Sequence, residues 1–412
     1  MNHVENFKNN EFNKHCSNYT FTPFIFPKVR RIVVFGDIHG DYDMIIKLFE
    51  LSGVAKITGK RHISRTNSLN VNIAKNKNRK TKKYKKLKGG NIQNDYLNEI
   101  SVSETISHSD FEYTMEWTGA DTYVIQVGDQ IDRCRPNGTY TCDHPKANED
   151  GDEDSDIKIL NLFTNLHEQA IKVGGAVISL LGNHELLNAL GEVQYVSFKG
   201  LKNILKKYKV DGIEFEDGIE ARKHAFQPGN KFGTFLGCTR NATVIIGSNL
   251  FVHAGIIDTL VNELKFTGYV DLEHINILIK KWLLGLVQTN QVSNIVRSTN
   301  SMFWTRILGS IPAGVPLDYP SCSDNISKVL KIFNVDKMII GHTPQSFLFN
   351  KDINSTCGDK IWRVDNGCSS AFDSFDENYK KYKTKHPNRR LQYLEILDDT
   401  QYNVYDETGK VL

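Results

Sequence analysis

Five strand-like apolar segments of this chain each end in a short run of glycine, aspartate, asparagine or histidine. The runs are GDIHGD at 36–41, GDQIDR at 128–133, GNHE at 182–185, HAG at 253–255 and GHT at 341–343. The apolar segments before them, such as RIVVF at 31–35 and AVISLL at 176–181, are typical of buried strands. In α/β sheets, polar groups beyond the carboxyl ends of the strands converge, and ligands bind there. The pattern therefore predicts an α/β fold with one site at that edge.

Two amphipathic helices are predicted between these segments. Met44, Ile45, Leu48 and Phe49 fall on one helical face after the first run. A second helix is predicted from about 156 to 172, with Asp156 as its N-cap and Gly174 after its end. Alternation of strands and helices in this order is consistent with an α/β protein.

The strand ends supply six potential metal ligands, all with oxygen or imidazole donors and none with a thiolate: Asp37, His39, Asp129, Asn183, His253 and His342. This donor set suits divalent Mn, Fe or Zn rather than a structural zinc held by cysteines. The number of ligands predicts two ions, with Asp129 as the bridge through its two carboxylate oxygens. Asp37 and His39 would complete one site, and the remaining three ligands the other. Two such ions can share a hydroxide and stabilise an in-line displacement at phosphorus.

Further candidates for the chemistry follow from their positions beside these ligands. His184 directly follows Asn183 and can act as a general acid that protonates the leaving oxygen, with Asp132 orienting its imidazole. Arg133 and Arg306 are candidates for binding the phosphate, because a planar guanidinium binds two oxygens at once. Asn183 is also expected to contact the phosphate.

Taken together, the five runs resemble those of the calcineurin-like metallophosphoesterases of the phosphoprotein phosphatase superfamily. Longer stretches resemble the Shewanella-like protein phosphatases in particular: TGADTYVIQVGDQIDR (118–133), SLLGNHELLNALGEVQYV (179–196), ARKHAFQPGNKFGTFL (221–236), NLFVHAGI (249–256) and MFWTR (302–306). The resemblance covers about residues 30–375 apart from one insertion. It implies a β-sandwich of two mixed sheets flanked by helices, with a dinuclear metal site at the carboxyl ends of the strands. It also implies the ligand, acid and arginine roles named above.

One position departs from the family pattern. Cys134 stands where the family usually has glycine after the Asp-Arg pair. If that position requires a positive φ, cysteine is strained there. We therefore expect the backbone of this loop to differ from that of the family and the Arg133 side chain to point in a different direction. The long stretch at 135–145 borders the expected phosphate site and is expected to alter specificity.

Composition divides the chain into an arm, a catalytic domain and an insertion. Residues 1–27 are polar and predict a loosely attached N-terminal arm, and residues 28–412 are predicted to form the metallophosphoesterase domain. Residues 58–112 lack periodicity, and thirteen of the 51 lysines and arginines lie between Lys56 and Lys88, where there is no acidic residue. This predicts a basic, mostly disordered insertion. Its segment 75–88 is a candidate contact for nucleic acid or another anionic partner.

The cysteines and the N-terminus suggest where the protein is found. The chain has seven cysteines, an odd and scattered set, and its N-terminus has no apolar core of a secretory signal. We therefore predict reduced thiols, including the close pair Cys134 and Cys142, in an intracellular, cytoplasmic protein. The basic segment makes a nuclear location the alternative. With no apolar run long enough to cross a bilayer, no membrane contact is predicted.

The favoured function is hydrolysis of phosphate monoesters on phosphoproteins, at serine, threonine or tyrosine. The alternative is a dinucleoside polyphosphate or RNA-cap pyrophosphatase related to the diadenosine tetraphosphatases. The same metal ions would serve either reaction, and clustered basic residues mildly favour a nucleic acid. A scaffold without activity is disfavoured because all six ligands are present.

Overall fold

The structure is a computed structural model that describes residues 3–62, 111–136, 139–147, 152, 154–348 and 350–411. Its strands are β1 (Ile25–Phe26), β2 (Arg31–Phe35), β3 (Ala55–His62), β4 (Phe111–Trp117), β5 (Tyr123–Gln126), β6 (Ala176–Leu180), β7 (Arg240–Asn241), β8 (Thr243–Ile246), β9 (Asn249–Val252), β10 (Lys337–Ile340), β11 (Asn354–Thr356), β12 (Ile361–Arg363), β13 (Gln392–Leu397), β14 (Gln401–Asp406) and β15 (Gly409–Lys410). Its α-helices are α1 (His3–Phe7), α2 (Asn13–His15), α3 (Tyr42–Leu51), α4 (Asp156–Ala170), α5 (Asn183–Ala189), α6 (Phe198–Lys207), α7 (Gly218–Phe226), α8 (Lys231–Thr239), α9 (Asp258–Leu264), α10 (Tyr269–Leu283), α11 (Ser293–Val296), α12 (Ile307–Ser310), α13 (Pro320–Ile326), α14 (Val329–Phe333) and α15 (Glu377–Tyr382).

The strands form two large mixed sheets and one hairpin. The seven-stranded sheet has the order β15-β14-β13-β2-β5-β6-β7, and the six-stranded sheet has the order β1-β8-β9-β10-β12-β11. Strands β2, β5, β6 and β7 run parallel, as do β9, β10 and β12, and β1 is parallel to β8. The pairs that involve β11, β13, β14 or β15, and the pair β8–β9, are antiparallel. The predicted architecture of two mixed sheets flanked by helices is confirmed.

The two sheets pack face to face because their strands alternate apolar side chains between two buried faces. In β2, Ile32 and Val34 join the core between the sheets, whereas Val33 and Phe35 join the core beneath α3 and α4. A third core covers the other side of the six-stranded sheet, where α8, α9 and α10 pack on residues such as Met338. Strands buried on both faces are continuously apolar, which is why these segments were recognisable in the sequence.

The predicted elements lie close to their observed positions. Strand β2 has the predicted bounds, β6 ends one residue before the predicted end, and the helix predicted at 156–172 is α4, at Asp156–Ala170. Its N-cap is Ser155 rather than Asp156. The Asp156 carboxylate instead accepts from the Arg222 guanidinium at 2.9 Å and from the Asp132 N–H at 3.2 Å, so it is unavailable for capping.

The N-terminal residues are not a loosely attached arm. Phe7, Phe12 and Phe24 are at most 3% exposed and pack in a cluster with residues of α8 and α10. Strand β1 adds to the edge of the six-stranded sheet by parallel pairing with β8. The prediction failed because the segment is polar on average, although it contains separate aromatic residues. The burial of these residues stabilises the attachment of the segment. The division of the rest of the chain into domains stays a prediction.

The prediction of reduced thiols is wrong for six of the seven cysteines. Disulfides join Cys16 to Cys238, Cys134 to Cys142 and Cys322 to Cys357, and Cys368 is free. Two of these pairs are separated by 222 and 35 residues, so spacing in the sequence could not reveal them. Disulfides persist in oxidising surroundings. The prediction of a cytoplasmic location therefore loses the support that it took from reduced thiols.

The predicted insertion is described only at its two ends. Strands β3 and β4 pair in an antiparallel hairpin that joins Ala55 to Trp117 and His62 to Phe111, so residues 58–62 and 111–112 belong to regular structure rather than to disorder. Residues 63–110, with the basic segment 75–88, lie outside the described residues. None of the helices in the described ranges combines the length and apolar character that a membrane crossing requires.

Candidate metal centre

The loops after five strands bring the six predicted metal ligands to one edge of the sandwich. Asp37 follows β2, Asp129 follows β5 and Asn183 begins α5 after β6, while His253 and His342 follow β9 and β10. The two sheets are linked at this edge, because the His342 N–H donates to the Asp37 carboxylate at 3.1–3.2 Å. All six side chains are at most 4% exposed.

Each predicted histidine ligand donates one ring N–H to a backbone carbonyl oxygen. The pairs are His39 with Ile131 at 3.3 Å, His253 with Val127 at 2.9 Å and His342 with Trp304 at 3.1 Å. Because a carbonyl only accepts, the second nitrogen of each neutral ring presents a lone pair. This arrangement is typical of metal-binding histidines, whose other N–H donates to a carbonyl or carboxylate.

These lone pairs converge on the carboxylate of Asp129. Asp129 Oδ2 lies 3.4 Å from His253 Nε2 and 3.8 Å from His39 Nε2. His253 Nε2 in turn lies 3.0 Å from Asn183 Oδ1 and 3.2 Å from His342 Nδ1. Acceptors that face one another at such distances require a positive charge between them, which a proton or a metal ion can supply. The donor set therefore fits divalent metal ions.

The ionisation of the site supports this need for positive charge. Burial, together with the neighbouring Asp365 and Asp129 carboxylates, raises the pKa of Asp37 well above its usual range. Burial would lower the pKa of His253, but the Asp129 carboxylate raises it. Several buried carboxylates within one loop cluster repel one another unless cations neutralise them.

Two groups of three side chains have ligand atoms that lie within 4.8 Å of one another. One is Asp129 with His253 and His342, and the other is Asp129 with His39 and His184. Asp129 belongs to both groups, as expected for a bridging ligand. His184 was predicted to be an acid rather than a ligand, and its Nε2 lies 4.0 Å from Asp129 Oδ2.

The backbone of the site is held in an uncommon conformation. His39, Asp129, Asp132 and His342 have positive φ angles of 47°, 55°, 71° and 67°. Such angles are rare outside glycine and need support from the surrounding structure. The loops also approach closely, since a Cβ added to Gly182 would lie 2.1 Å from Asp129 Oδ1.

The predicted acid pair is brought together. His184 Nδ1 lies 2.8 Å from Asp132 Oδ2, and the Asp132 side chain is fully buried. A carboxylate accepts from the Nδ1–H, so the Nε2 of His184 faces the ligand cluster. The His184 backbone N–H also donates to Asp129 Oδ1 at 2.9 Å.

Comparisons with known proteins agree with this geometry. No family model matches the chain. An uncharacterised protein of Acanthamoeba polyphaga mimivirus is 35% identical over 255 residues, which are 59% of this chain and 96% of that protein. Shewanella-like protein phosphatase 2 of Arabidopsis thaliana is 30% identical over 287 residues, which are 62% of this chain and 64% of the plant protein. These relatives support the resemblance of the chain to the Shewanella-like protein phosphatases, a phosphoprotein phosphatase-like family.

Solved structures show that the fold is shared with cold-active protein tyrosine phosphatases. A cold-active protein-tyrosine phosphatase of a Shewanella species superposes with a TM-score of 0.52 at 16% identity, covering 93% of this chain and 83% of that one. A second structure of a cold-active protein tyrosine phosphatase gives a TM-score of 0.54 at 15% identity. At this identity the likeness concerns the fold alone.

A buried polar network lies beneath His184 and Asp132. The Asn188 amide donates to both Asp132 carboxylate oxygens at 2.9 and 3.0 Å and to the His184 carbonyl oxygen at 2.9 Å. The Arg222 guanidinium donates to Asn188 Oδ1 at 2.6 Å and to Asp156 Oδ2 at 2.9 Å. Arg222 is 1% exposed. The network therefore fixes the position of Asp132.

Sequence reasoning missed several residues of this network and its surroundings. Glu185 accepts from the backbone N–H groups of Asp129, Gln130 and Gly182 at 2.7–2.9 Å, so it ties two ligand loops together. Its position in GNHE was a signal that could have found it. Arg222 lies in the stretch 221–236 that resembles the family, but nothing in that stretch indicates its contact with Asp132 and Asp156. Asp365 is 3% exposed beside Asp37 and follows β12, which was the same signal that identified the predicted ligands.

The two predicted phosphate-binding arginines lie in different surroundings. Arg306 is exposed, and its guanidinium donates to the His342 carbonyl oxygen at 2.9 Å. Arg133 is 5% exposed and lies 3.5 Å from Asp41 Oδ2. The expected strain at Cys134 does not occur, because the positive φ of this loop falls on Asp132 and Cys134 is not among the described residues with positive φ.

Proposed function

We propose that this chain is a metal-dependent phosphatase that hydrolyses phosphate monoesters, with phosphoproteins as its substrates. The observation that carries the proposal is the convergence of three imidazole lone pairs around the buried carboxylate of Asp129, with the Asn183 amide oxygen 3.0 Å from His253 Nε2. Buried acceptors in this arrangement are costly unless cations bind between them. Relatives named as protein phosphatases support the reaction type.

The six ligands are sufficient for two divalent ions. Asp37, His39 and Asp129 would hold the first, and Asp129, Asn183, His253 and His342 the second. Divalent ions bound there supply positive charge for a phosphoryl oxygen and lower the pKa of water. The buried surroundings strengthen such interactions because the local dielectric is low. Manganese, iron and zinc all suit this mixture of carboxylate and imidazole donors.

His184 is assigned to protonate the leaving oxygen of the substrate. Asp132 holds the His184 Nδ1–H at 2.8 Å, which leaves Nε2 as the atom that gives the proton. Asn188 fixes Asp132 in turn through both carboxylate oxygens. A general acid of this kind contributes about 10²–10⁴-fold to the rate.

The substrate class rests on the named relatives. The plant relative and a Plasmodium berghei relative that is 23% identical over 272 residues are both named Shewanella-like protein phosphatases. The Shewanella structures are named as protein-tyrosine phosphatases. These names favour a phosphorylated protein over a nucleotide, and the preference among serine, threonine and tyrosine is for the assay to determine.

The first test is turnover by the manganese-loaded protein on a matched panel of phosphoserine, phosphothreonine and phosphotyrosine peptides and diadenosine tetraphosphate. We expect kcat/KM to favour one or more peptides by about tenfold or more, which is about 1.4 kcal/mol of transition-state stabilisation. A preference for diadenosine tetraphosphate would instead indicate a pyrophosphatase. Failure to hydrolyse any of the four would contradict the proposed function.

The second test separates metal ligands from the acid. Asp129→Asn should abolish turnover and lower the metal content, because the shared ligand loses its charge. His184→Asn should lower kcat by about 10²-fold or more with metal content unchanged, whereas loss of metal would make His184 a ligand. Asp376→Asn is the matched control, since Asp376 is a buried aspartate bonded to Arg389, and it should keep both metal and turnover.

A further inference from the structure

Arg135 lies among the side chains that surround the candidate metal centre. Its guanidinium carbon is 5.7 Å from the centre of the Tyr195 ring and 5.0 Å from that of Phe372. The Tyr195 ring is 4.9 Å from the His184 ring, and the Phe372 ring is 5.2 Å from the His39 ring. His39 and His184 are themselves 4.8 Å apart. The five side chains therefore form a closed circuit of contacts around one side of the ligand cluster.

The loop that carries Arg135 is held in place by its backbone and by a disulfide. The Arg135 guanidinium donates to the carbonyl oxygens of Asp132 and Cys134, both at 2.9 Å. The Cys134 N–H donates to the Tyr195 carbonyl oxygen at 3.0 Å, and the Cys134–Cys142 disulfide closes the loop. At 9% exposure, the guanidinium is positioned before any substrate binds. A cation held in this way loses little conformational entropy on binding an anion.

Arg135 and Arg306 lie beside different groups of the ligands that share Asp129. Arg135 contacts the two aromatic rings that pack against His39 and His184. Arg306 donates to the His342 carbonyl oxygen at 2.9 Å.

Arg133 is engaged elsewhere. It lies 3.5 Å from the Asp41 carboxylate. The Asp41 carboxylate also accepts from the backbone N–H groups of Met44 and Ser370 at 3.0 and 2.7 Å. A carboxylate held beside Arg133 balances its charge, which reduces the attraction of Arg133 for a second anion.

We propose that Arg135 is a phosphate-binding residue of this site, opposite Arg306, and that it acts on the phosphoryl oxygens of the substrate. The inference rests on the proposed function for its substrate, a phosphate monoester. Cysteine in place of the usual glycine is part of the same feature, because the disulfide that it forms fixes the residue that follows.

The experiment measures binding of inorganic phosphate to the manganese-loaded protein by calorimetry, together with the KM for p-nitrophenyl phosphate. Arg135→Met should weaken phosphate binding and raise KM by about tenfold or more, with bound manganese unchanged, because charge-assisted hydrogen bonds are lost. Arg135→Lys keeps the charge without the planar fork and should give a smaller loss, about threefold. Arg390→Met, which removes an exposed arginine bonded to Asp352, is the matched control and should leave phosphate binding unchanged.

Phosphate affinity within about twofold of the wild type in both Arg135 variants would overturn the inference. So would a tenfold loss in Arg133→Met with none in Arg135→Met, because Arg133 would then be the residue that binds the phosphate. If Arg135→Met does not fold, Arg135→Lys decides alone. Because phosphate binding needs no turnover, a wild-type protein that hydrolyses no ester would contradict the proposed function and still allow the Arg135 test.

Discussion

Replacing Arg222 with methionine removes the cation from the buried network beneath His184 and Asp132. The Arg222 guanidinium lies 2.9 Å from Asp156 Oδ2 and 3.7 Å from Asp132 Oδ1. Methionine keeps an unbranched apolar chain in the same space, so the main change is that two buried carboxylates lose their cation. Removing one partner of a buried ion pair costs about 3–5 kcal/mol. Arg222→Met should lower the free energy of unfolding by that amount.

The size of this loss should depend on pH. Burial raises the pKa of Asp156 to about 7, although Arg222 opposes the shift. A carboxyl whose pKa is raised by folding reduces stability as pH rises from its unfolded value to its folded value. Without Arg222 the folded pKa of Asp156 rises further, so stability continues to fall above pH 7 at about 1.4 kcal/mol per pH unit. The deficit of the variant should therefore grow between about pH 7 and pH 9.

Urea denaturation followed by tryptophan fluorescence at several pH values measures both effects. The double variant Asp156→Asn/Arg222→Met removes one carboxylate with the cation and should recover much of the lost stability. Three results would refute the reasoning: a loss below about 1 kcal/mol at pH 9, a loss that does not change with pH, or a double variant as unstable as Arg222→Met alone. The turnover of Arg222→Met should also fall, because Asp132 loses part of its support.

Three further results are expected. Asp41 has a pKa of about 2 in the folded protein, so it contributes to the free energy of unfolding about 2 kcal/mol that is lost as pH falls from about 4 to 2. Asp41→Asn should lack this acid-dependent contribution. An acid transition of the variant that equals that of the wild type would contradict the expectation. Cys238→Ser opens the disulfide to Cys16 and should lower the free energy of unfolding by about 2–5 kcal/mol, with no difference from the wild type once both are reduced. Manganese at about 100 times its Kd should stabilise the chelator-treated protein by about 2.7 kcal/mol, and a similar shift in Asp129→Asn would argue against Asp129 as a ligand.

The sequence was informative where structure and chemistry are encoded over a few residues. A strand buried on both faces is apolar throughout, and its loop begins where the polar run begins, so β2 was predicted with its observed bounds. The same rule identified Asp37, Asp129 and His253, because each lies within three residues of a strand end. Parallel pairing of β2 with β5 brings Asp37 and Asp129 together, whereas His253 reaches them only because the two sheets pack face to face.

The sequence was uninformative where a contact joins distant segments. Cys16 and Cys238 are 222 residues apart, and nothing near either one indicates its partner. Arg222 lies in a helix far along the chain from Asp132 and Asp156, so its role depends on how α7 packs. The N-terminal segment was misjudged for a related reason, since its mean composition is polar while its few phenylalanines are the residues that bind it to the body.

The left-handed backbone of His39, Asp129, Asp132 and His342 has a consequence for anyone who evolves this protein in the laboratory. Each of these residues holds a conformation that costs about 1 kcal/mol or more for a residue with a side chain, and glycine adopts it freely. A screen that rewards heat resistance alone would therefore favour glycine at positions 39, 129 and 342, whereas at position 132 the buried bonds of Asp132 to His184 and Asn188 oppose it. The selected variants would have a higher free energy of unfolding but would lack candidate metal ligands. Stability at this edge of the sandwich and chemistry at the same edge are competing demands, and directed evolution has to reward both in every round.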